Sequence, residues 1–434
     1  MSDDSGDDER AFTTHSLHAG QEPDSATGAR APPLYQTTSY VFDDAEDAAD
    51  QFALEKPGYI YSRLMNPTVE TLQERMATLE GGVGAVATSS GMAALNLVTF
   101  LLAESGDNIV SANSLYGGTA TYLTHSVERH GVTTRFVDTL DYDAYEEAID
   151  EDTAYVHLET IGNPALDTPD LERVADISHD HDVPLFVDNT FATPHLCNPL
   201  EYGADLVWES TTKWVHGSGT TVGGVVVDGG SFPWSEHAEE YPEIGGDNPA
   251  YHGVNFAETF GDAAFTYAAI ARGLRDLGNQ QSPFDAWQTL QGLETLPLRM
   301  DRHCENAMQV AEYLDDHDDV AWVNYPGLES HPTHENASKY LDGGYGGMIT
   351  FGLEGGYDAA RGTVENTSLA SLLANVGDAK TLIIHPASTT HQQLTDEEQQ
   401  EAGVTDDLVR LSVGIEDAAD IVADLADAIE TASN

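Results

Sequence analysis

The sequence predicts an α/β protein with a mostly parallel, buried central sheet, and three observations carry that prediction. From residue 84 onward, short β-rich runs alternate with helical ones: GAVATSS (84–90), NIVSAN (108–113), TTRFVDT (133–139), TAYVHLET (153–160), PLFVDNT (184–190), DLVWES (205–210) and GGVVVD (223–228). Most of these runs are nearly continuous in apolar residues, as expected of strands covered by helices on both faces. Hydrophobic residues make up 40% of 434 positions, enough to bury large cores in two or three domains.

Along the chain, MSDDSGDDER (1–10) reads as a disordered acidic tail, and the Pro- and Thr-rich stretch after it reads as an N-terminal arm over 11–70. The large domain is expected over 71–287. Within it the Gly/Pro/Trp-rich segment 229–256 interrupts the rhythm as an insertion, and helical periodicity returns at 257–278 and 285–315. Farther on, AWVNYP, GGMITFGLEG, KTLIIHP and LVRLSVGI, with helical stretches between them, predict a smaller C-terminal α/β domain over 288–434.

The charge balance is extreme, with 17 Lys+Arg against 75 Asp+Glu and a formal net charge of −58. Missing lysine contributes as much as added acid: only Lys56, Lys213, Lys339 and Lys380 are present. At low ionic strength such a surface repels itself, so the composition points to a high-salt cytoplasm and a halophilic source. A calcium buffer is disfavoured because no D-x-[DN]-x-[DN]-G loop occurs, and a nucleic-acid partner because phosphate contacts need a basic surface. Cys197 and Cys304 are too few for a disulfide framework. The N-terminus is polar and acidic, and no apolar run approaches membrane-spanning length, so a cytoplasmic protein with no membrane partner is expected.

In open α/β sheets ligands bind beyond the carboxyl ends of the strands. The first strand ends in Ser89-Ser90-Gly91-Met92 ahead of a helix, which offers the N–H groups of Gly91 and Met92 to an anion such as phosphate. Taken alone, Ser90 as an ordinary helix cap is the plainer reading. Asp188 ends PLFVD in an apolar setting, where an acid either caps the following turn or holds a protonated ring nitrogen. Lys213 lies two threonines beyond DLVWES, and a desolvated lysine is a Schiff-base nucleophile. A phosphate cup, a buried acid and such a lysine at neighbouring strand ends are together what pyridoxal 5′-phosphate requires.

Nine stretches then carry a resemblance: YIYSRLMNPT (59–68), ATSSGMAAL (87–95), SLYGGT (114–119), ETIGNPAL (159–166), VDNTFATP (187–194), STTKWVHGSGT (210–220), LQGLETLPLRM (290–300), VGDAKTLIIHPASTTHQQL (376–394) and VRLSVGIE (409–416). In this order they resemble the Cys/Met-metabolism family of pyridoxal-phosphate enzymes along nearly the whole chain. The resemblance implies the type I, aminotransferase-like fold of pyridoxal-phosphate-dependent transferases. It implies that Lys213 carries the cofactor and shuttles protons, that Asp188 pairs with the pyridine nitrogen, and that Asn163 bonds the ring hydroxyl. Gly91, Met92, Ser210 and Thr212 would hold the phosphate. Tyr61 and Arg63 would reach the phosphate of a neighbouring subunit, which makes a homo-oligomer, typically a tetramer of two dimers, part of the expectation. Tyr116 would stack on the ring and assist the leaving group, and Arg410 and Ser388 would hold the substrate carboxylate.

Finer text, namely 18–44, the 229–256 insertion, GLRDLGNQQSPFDAW (273–287) and the stretch beginning LANVGDAK, resembles the O-acetylhomoserine sulfhydrylase branch. That implies γ-replacement of O-acetylhomoserine by sulfide or a small thiol, with cystathionine γ-synthase, cystathionine γ-lyase or methionine γ-lyase activity on the same cofactor as the alternative. A dinucleotide-binding oxidoreductase is disfavoured because no G-x-G-x-x-G follows the first strand. One departure stands out: Glu209 precedes Ser210-Thr211-Thr212-Lys213 where the family usually has histidine. An acid there is unfavourable near a phosphate unless it points away or is protonated. His179, His181, His331 and His334 read as solvated and no metal site is expected, while both cysteines read as packed.

Overall fold

The computed structural model describes residues 10–390, 392 and 403–433. Apart from Arg10, the expected acidic tail lies outside the described residues, as do His391, Gln393 and Leu394 of the family-like stretch. Each of the seven expected runs contains a strand: β1 (Gly84–Thr88), β2 (Asn108–Ala112), β3 (Thr133–Val137), β4 (Thr153–Glu159), β5 (Leu185–Asp188), β6 (Leu206–Glu209) and β7 (Gly224–Asp228). They form one sheet in the order β1-β7-β6-β5-β4-β2-β3. Only β7 runs against its neighbours; every other pairing in the sheet is parallel. The central strands β2, β4, β5, β6 and β7 are buried along their whole length, whereas β3 pairs with β2 alone and exposes Thr133, Arg135 and Phe136. An edge strand carrying a charge resists pairing with another chain.

The second sheet holds β8 (Val320–Asn324), β9 (Met348–Leu353), β10 (Ser371–Leu372), β11 (Leu382–Ile384) and β12 (Leu408–Ser412), ordered β10-β11-β12-β9-β8. The helix Leu296–Asp315 joins the two halves by packing into both. Its Leu296, Met300 and Cys304 belong to the core under the first sheet, and its Ala307, Val310, Ala311 and Leu314 belong to the core under the second.

Three local features differ from the sequence reading, each for an identifiable reason. The arm contains two short helices, Phe12–His18 and Ala45–Phe52, the second capped by Asp44, whose carboxylate accepts from the N–H groups of Glu46 and Asp47, both at 2.9 Å. The periodicity over 285–315 resolves into two helices, Pro283–Leu293 and Leu296–Asp315. Pro297 sits in the first turn of the second, where a missing N–H is harmless. The insertion is packed: Phe232, Trp234 and Tyr241 are buried, with Tyr241 edge-to-face on the other two rings and the Phe232 and Trp234 centroids 4.6 Å apart.

Candidate active site

Because β1, β4, β5 and β6 point the same way, their carboxyl ends deliver Ser90, Glu159, Asp188 and Glu209 to one edge of the sheet. At β1 the helix Gly91–Leu102 begins, capped by Ser90, whose hydroxyl accepts from Ala93 N–H at 3.1 Å. The Ser90 cap is present, and the first-turn N–H groups of Gly91 and Met92 have no intrahelical acceptor, which leaves them available to an anion. Glycine is needed at 91: a Cβ there would sit 2.8 Å from Ser210 Cβ and 3.0 Å from the Trp208 ring. Close contact therefore fixes the β6 turn against the helix start.

That turn carries Ser210, Thr212 and Lys213. Ser210 N–H donates to Thr190 Oγ1 at 2.9 Å, and Lys213 N–H to Ser210 O at 3.1 Å. The Thr212 hydroxyl exchanges bonds with the Gly223 backbone, at 3.2 Å to its carbonyl and 3.1 Å from its N–H. Lys213 differs from the other lysines. Lys56, Lys339 and Lys380 have side chains 50%, 46% and 74% exposed and pair with carboxylates. The Lys213 amine instead donates to a neutral amide, Asn375 Oδ1, at 2.6 Å. Burial, with the Arg410 charge nearby, lowers its pKa to about 8, so an appreciable share is free amine at neutral pH. The segment after Asn375 closes on the same turn, since a Cβ at Gly377 would lie 2.6 Å from Trp214 N.

Asp188 is 6% exposed and lies in register beside Glu159 of β4, also buried. Thr190 N–H donates to Asp188 Oδ1 at 2.9 Å, and Tyr116 N–H to Glu159 Oε1 at 2.6 Å. Burial pushes Asp188 up to about 7 and Glu159 well above the ordinary carboxylate range, the latter also through Asp188 itself. Two adjacent buried acids without a cation between them form a site that a protonated ring nitrogen would stabilise. Asn163, buried, precedes a cis proline in the loop after β4. Half-exposed Tyr116 starts a short helix from the loop after β2.

The second sheet supplies Arg410 from its centre, on β12 between Ile384 and Thr350. Thr350 Oγ1 donates to Pro164 O at 3.2 Å, which ties that sheet to the Asn163 turn. Arg410 is close enough to Lys213 and Tyr116 to interact with both, and among the described residues no carboxylate pairs with it. Ser388 lies in the turn after β11, its hydroxyl 2.8 Å from His385 Nδ1. Tyr61 and Arg63 stand apart: the Arg63 guanidinium lies 5.7 Å from the Tyr61 ring centroid and bonds the Arg275 carbonyl. Among the described residues no hydrogen bond or ion pair joins their side chains to the other site residues.

Glu209 does both things expected of a tolerable acid. Residues of a strand alternate in direction, and Glu209 faces the side opposite Trp208 and Asp188, where it meets Glu80. Burial and the neighbouring Glu80 raise its pKa well above the usual value, which favours the neutral acid. Some histidines require correction. His331 is buried, hydrogen-bonded to Ala165 O at 3.3 Å, and His334 is partly buried against Pro326 O at 2.8 Å, because both pin a turn onto neighbouring backbone. His179 is partly exposed and pairs with Asp205 at 2.8 Å, which raises its pKa. Both cysteines are buried, and burial raises each thiol, Cys304 to about 11. Among the described residues no cluster of His, Cys, Asp and Glu is arranged to hold a metal.

The donor set fits pyridoxal phosphate: helix N–H groups and hydroxyls for a phosphate, a buried amine with no carboxylate partner among the described residues, adjacent buried acids, and a guanidinium likewise without a carboxylate among them. Residues 13–430 match the family described as Cys/Met metabolism PLP-dependent enzyme. This chain belongs to that family. The homocysteine synthase of Schizosaccharomyces pombe is 53% identical over 97% of this chain and 98% of its own length. The O-acetyl-L-homoserine sulfhydrylase 1 of Thermus thermophilus is 49% identical, covering 96% and 99%. The putative O-acetylhomoserine (thiol)-lyase of Campylobacter jejuni, solved with N′-pyridoxyl-lysine-5′-monophosphate, superposes with a TM-score of 0.94 at 39% identity, covering 97% of this chain and all of that one. The fold is thus that of these pyridoxal-phosphate enzymes. Asn375 and Glu159 were not singled out in the sequence. Both lie in stretches with family-like text, yet a buried amide or acid leaves no mark in spacing.

Proposed function

We propose that this enzyme catalyses γ-replacement of O-acetyl-L-homoserine by sulfide, breaking the Cγ–O bond and forming Cγ–S, to give L-homocysteine and acetate. The observation that carries this reading is identity near one half, over nearly the full length, to a homocysteine synthase and to O-acetylhomoserine sulfhydrylases.

When bound, pyridoxal phosphate supplies an electron sink that makes the substrate Cα–H acidic. The chain does the rest. Gly91, Met92, Ser210 and Thr212 hold the phosphate, Asn163 the ring hydroxyl, and Asp188 keeps a proton on the ring nitrogen. Lys213 would hold the cofactor through its amine and, as the base, would take the Cα proton and move protons at Cβ. Its weakened basicity suits a base working near neutral pH. Tyr116 assists departure of acetate. Arg410 forks onto the α-carboxylate with help from Ser388, a bidentate contact lysine cannot make. Tyr61 and Arg63, stranded on the arm, would complete the phosphate site of a second subunit, so the working unit is a homodimer or a tetramer of two.

Two outcomes are expected in solution. With pyridoxal phosphate in concentrated KCl, O-acetylhomoserine plus sulfide yields homocysteine, while cysteine in place of sulfide yields little cystathionine. Predominant cystathionine, or keto acid without any thiol, would move the chain to the synthase or lyase branch. The net charge of −58 gives the second expectation. Activity and assembled fraction rise together into molar KCl, where the Debye length is about 3 Å instead of roughly 30 Å in dilute buffer. A maximum in dilute buffer would refute a cytosol of high salt as the protein's setting.

A further inference from the structure

Beneath the turn that carries Ser210, Thr212 and Lys213 lies a polar cluster that the reaction does not use. Glu80 ends the helix Pro67–Glu80, Glu209 ends β6, and Asn189 follows β5; all three are fully or almost fully buried. Asn189 Nδ2 donates to Glu80 Oε1 at 2.9 Å and to Cys197 O at 2.8 Å, and its Oδ1 accepts from Thr160 Oγ1 at 2.8 Å. Glu80 Oε2 and both Glu209 oxygens have no donor at all unless a proton lies between the two carboxyl groups, which are in hydrogen-bonding contact. Two carboxylates side by side in a dry interior cannot both ionise.

We propose that Glu209 is a positioning residue, whose carboxyl proton bonds Glu80 and thereby ties the cofactor turn to the ends of β4 and β5 through Asn189 and Thr160. The proton belongs on Glu209, because Glu80 already accepts from Asn189 and so is the better carboxylate. Burial and Glu80 both favour the neutral form of Glu209, and burial raises Glu80 to about 7. The titratable groups that act on the pair are Asp188, through the sheet from its opposite face, and Cys197, itself beside Glu201; no cation among the described residues offsets them. Losing the proton would leave two buried negative charges directly under Ser210. The inference rests on the family cofactor and is independent of which thiol the enzyme accepts.

The test compares the holoenzyme with Glu209→Gln and Glu209→Ala, in concentrated KCl, by spectroscopic release of pyridoxal phosphate and by Tm across pH. A glutamine amide donates to Glu80 at every pH and cannot ionise. The folded acid keeps a proton that the unfolded chain releases near its ordinary pKa of about 4.5, so wild-type stability falls as pH rises above that value and through the folded pKa. Glu209→Gln lacks that fall. At about pH 9 it should hold the cofactor several-fold longer than wild type and melt higher, while at about pH 6, where the folded acid keeps its proton, the two should release cofactor within roughly twofold of each other. Glu209→Ala should release cofactor faster at both. If the glutamine variant follows the wild-type pH profile throughout, or alanine retains cofactor as well as wild type, the proposal fails. Glu209→Gln and Glu209→Ala both remove the carboxyl group that Asp188 feels, so the difference between these two variants does not come from Asp188.

Discussion

Lys213→Ala removes turnover by a factor on the order of 10⁴ or more, about 5.5 kcal/mol of transition-state stabilisation. On the proposed mechanism two losses compound: the covalent anchor of the cofactor and the base that moves the Cα proton. The folded protein should persist, because the Lys213 amine makes one hydrogen bond, to Asn375, and its removal relieves burial of a charge next to Arg410. Borohydride treatment of the wild-type enzyme should fix the cofactor to Lys213 alone. The other three lysines are solvent-exposed and paired with Asp47, with Asp170 and Glu172, or with Asp378, which stabilises their ammonium forms. Because Lys213 is lowered to about 8, cofactor capture by the apoenzyme should climb as pH rises toward that value and level off above it. A label on another lysine, or turnover by the alanine variant within about tenfold of wild type, would remove Lys213 from the mechanism.

The sequence showed much of this geometry because two kinds of signal survive in one dimension. Strand ends are marked by where apolar runs stop, so Asp188, Ser90 and the Glu209–Lys213 turn were visible as chemistry at strand termini. Scarcity was the other signal: with four lysines, one in an apolar context was conspicuous. Partners brought from far along the chain stayed invisible. Asn375 lies 162 residues beyond Lys213, and Glu80 meets Glu209 across a helix–sheet contact that no local pattern encodes. Glu209 was recognised as an oddity, but its harmlessness depends on which face of β6 it occupies, and that follows from register. His331 misled for a similar reason. A turn histidine reads as solvated until tertiary packing covers it with the Ala165 backbone. Tyr61 and Arg63 mark a different limit, since their expected role needs a second chain.

Asp188→Asn is the second large effect, and it separates the two roles an acid at that strand end can have. As a cap, Asp188 accepts from Thr190 N–H through Oδ1, a bond the asparagine carbonyl can keep. As a charge, it holds a proton on the cofactor ring, which asparagine cannot do. If the cap were its function, the variant would fold, bind cofactor and turn over nearly as well as wild type. The electrostatic role instead predicts kcat lower by roughly 10²–10³, about 3–4 kcal/mol, the scale of removing one preorganised charge-stabilising group. KM should change far less, because Arg410 and the carboxylate site are untouched. Glu159 sharpens the expectation: it lies beside Asp188 in the sheet and is pushed up partly by that neighbour's charge. In the asparagine variant Glu159 loses that repulsion and ionises more readily, yet its Oε1 is engaged by Tyr116 N–H at 2.6 Å. It cannot turn to the ring without releasing Tyr116. Asp188→Asn with Glu159→Gln should therefore be no worse than about twofold below the single variant; a further large loss would mean that Glu159 shares the charge on the ring.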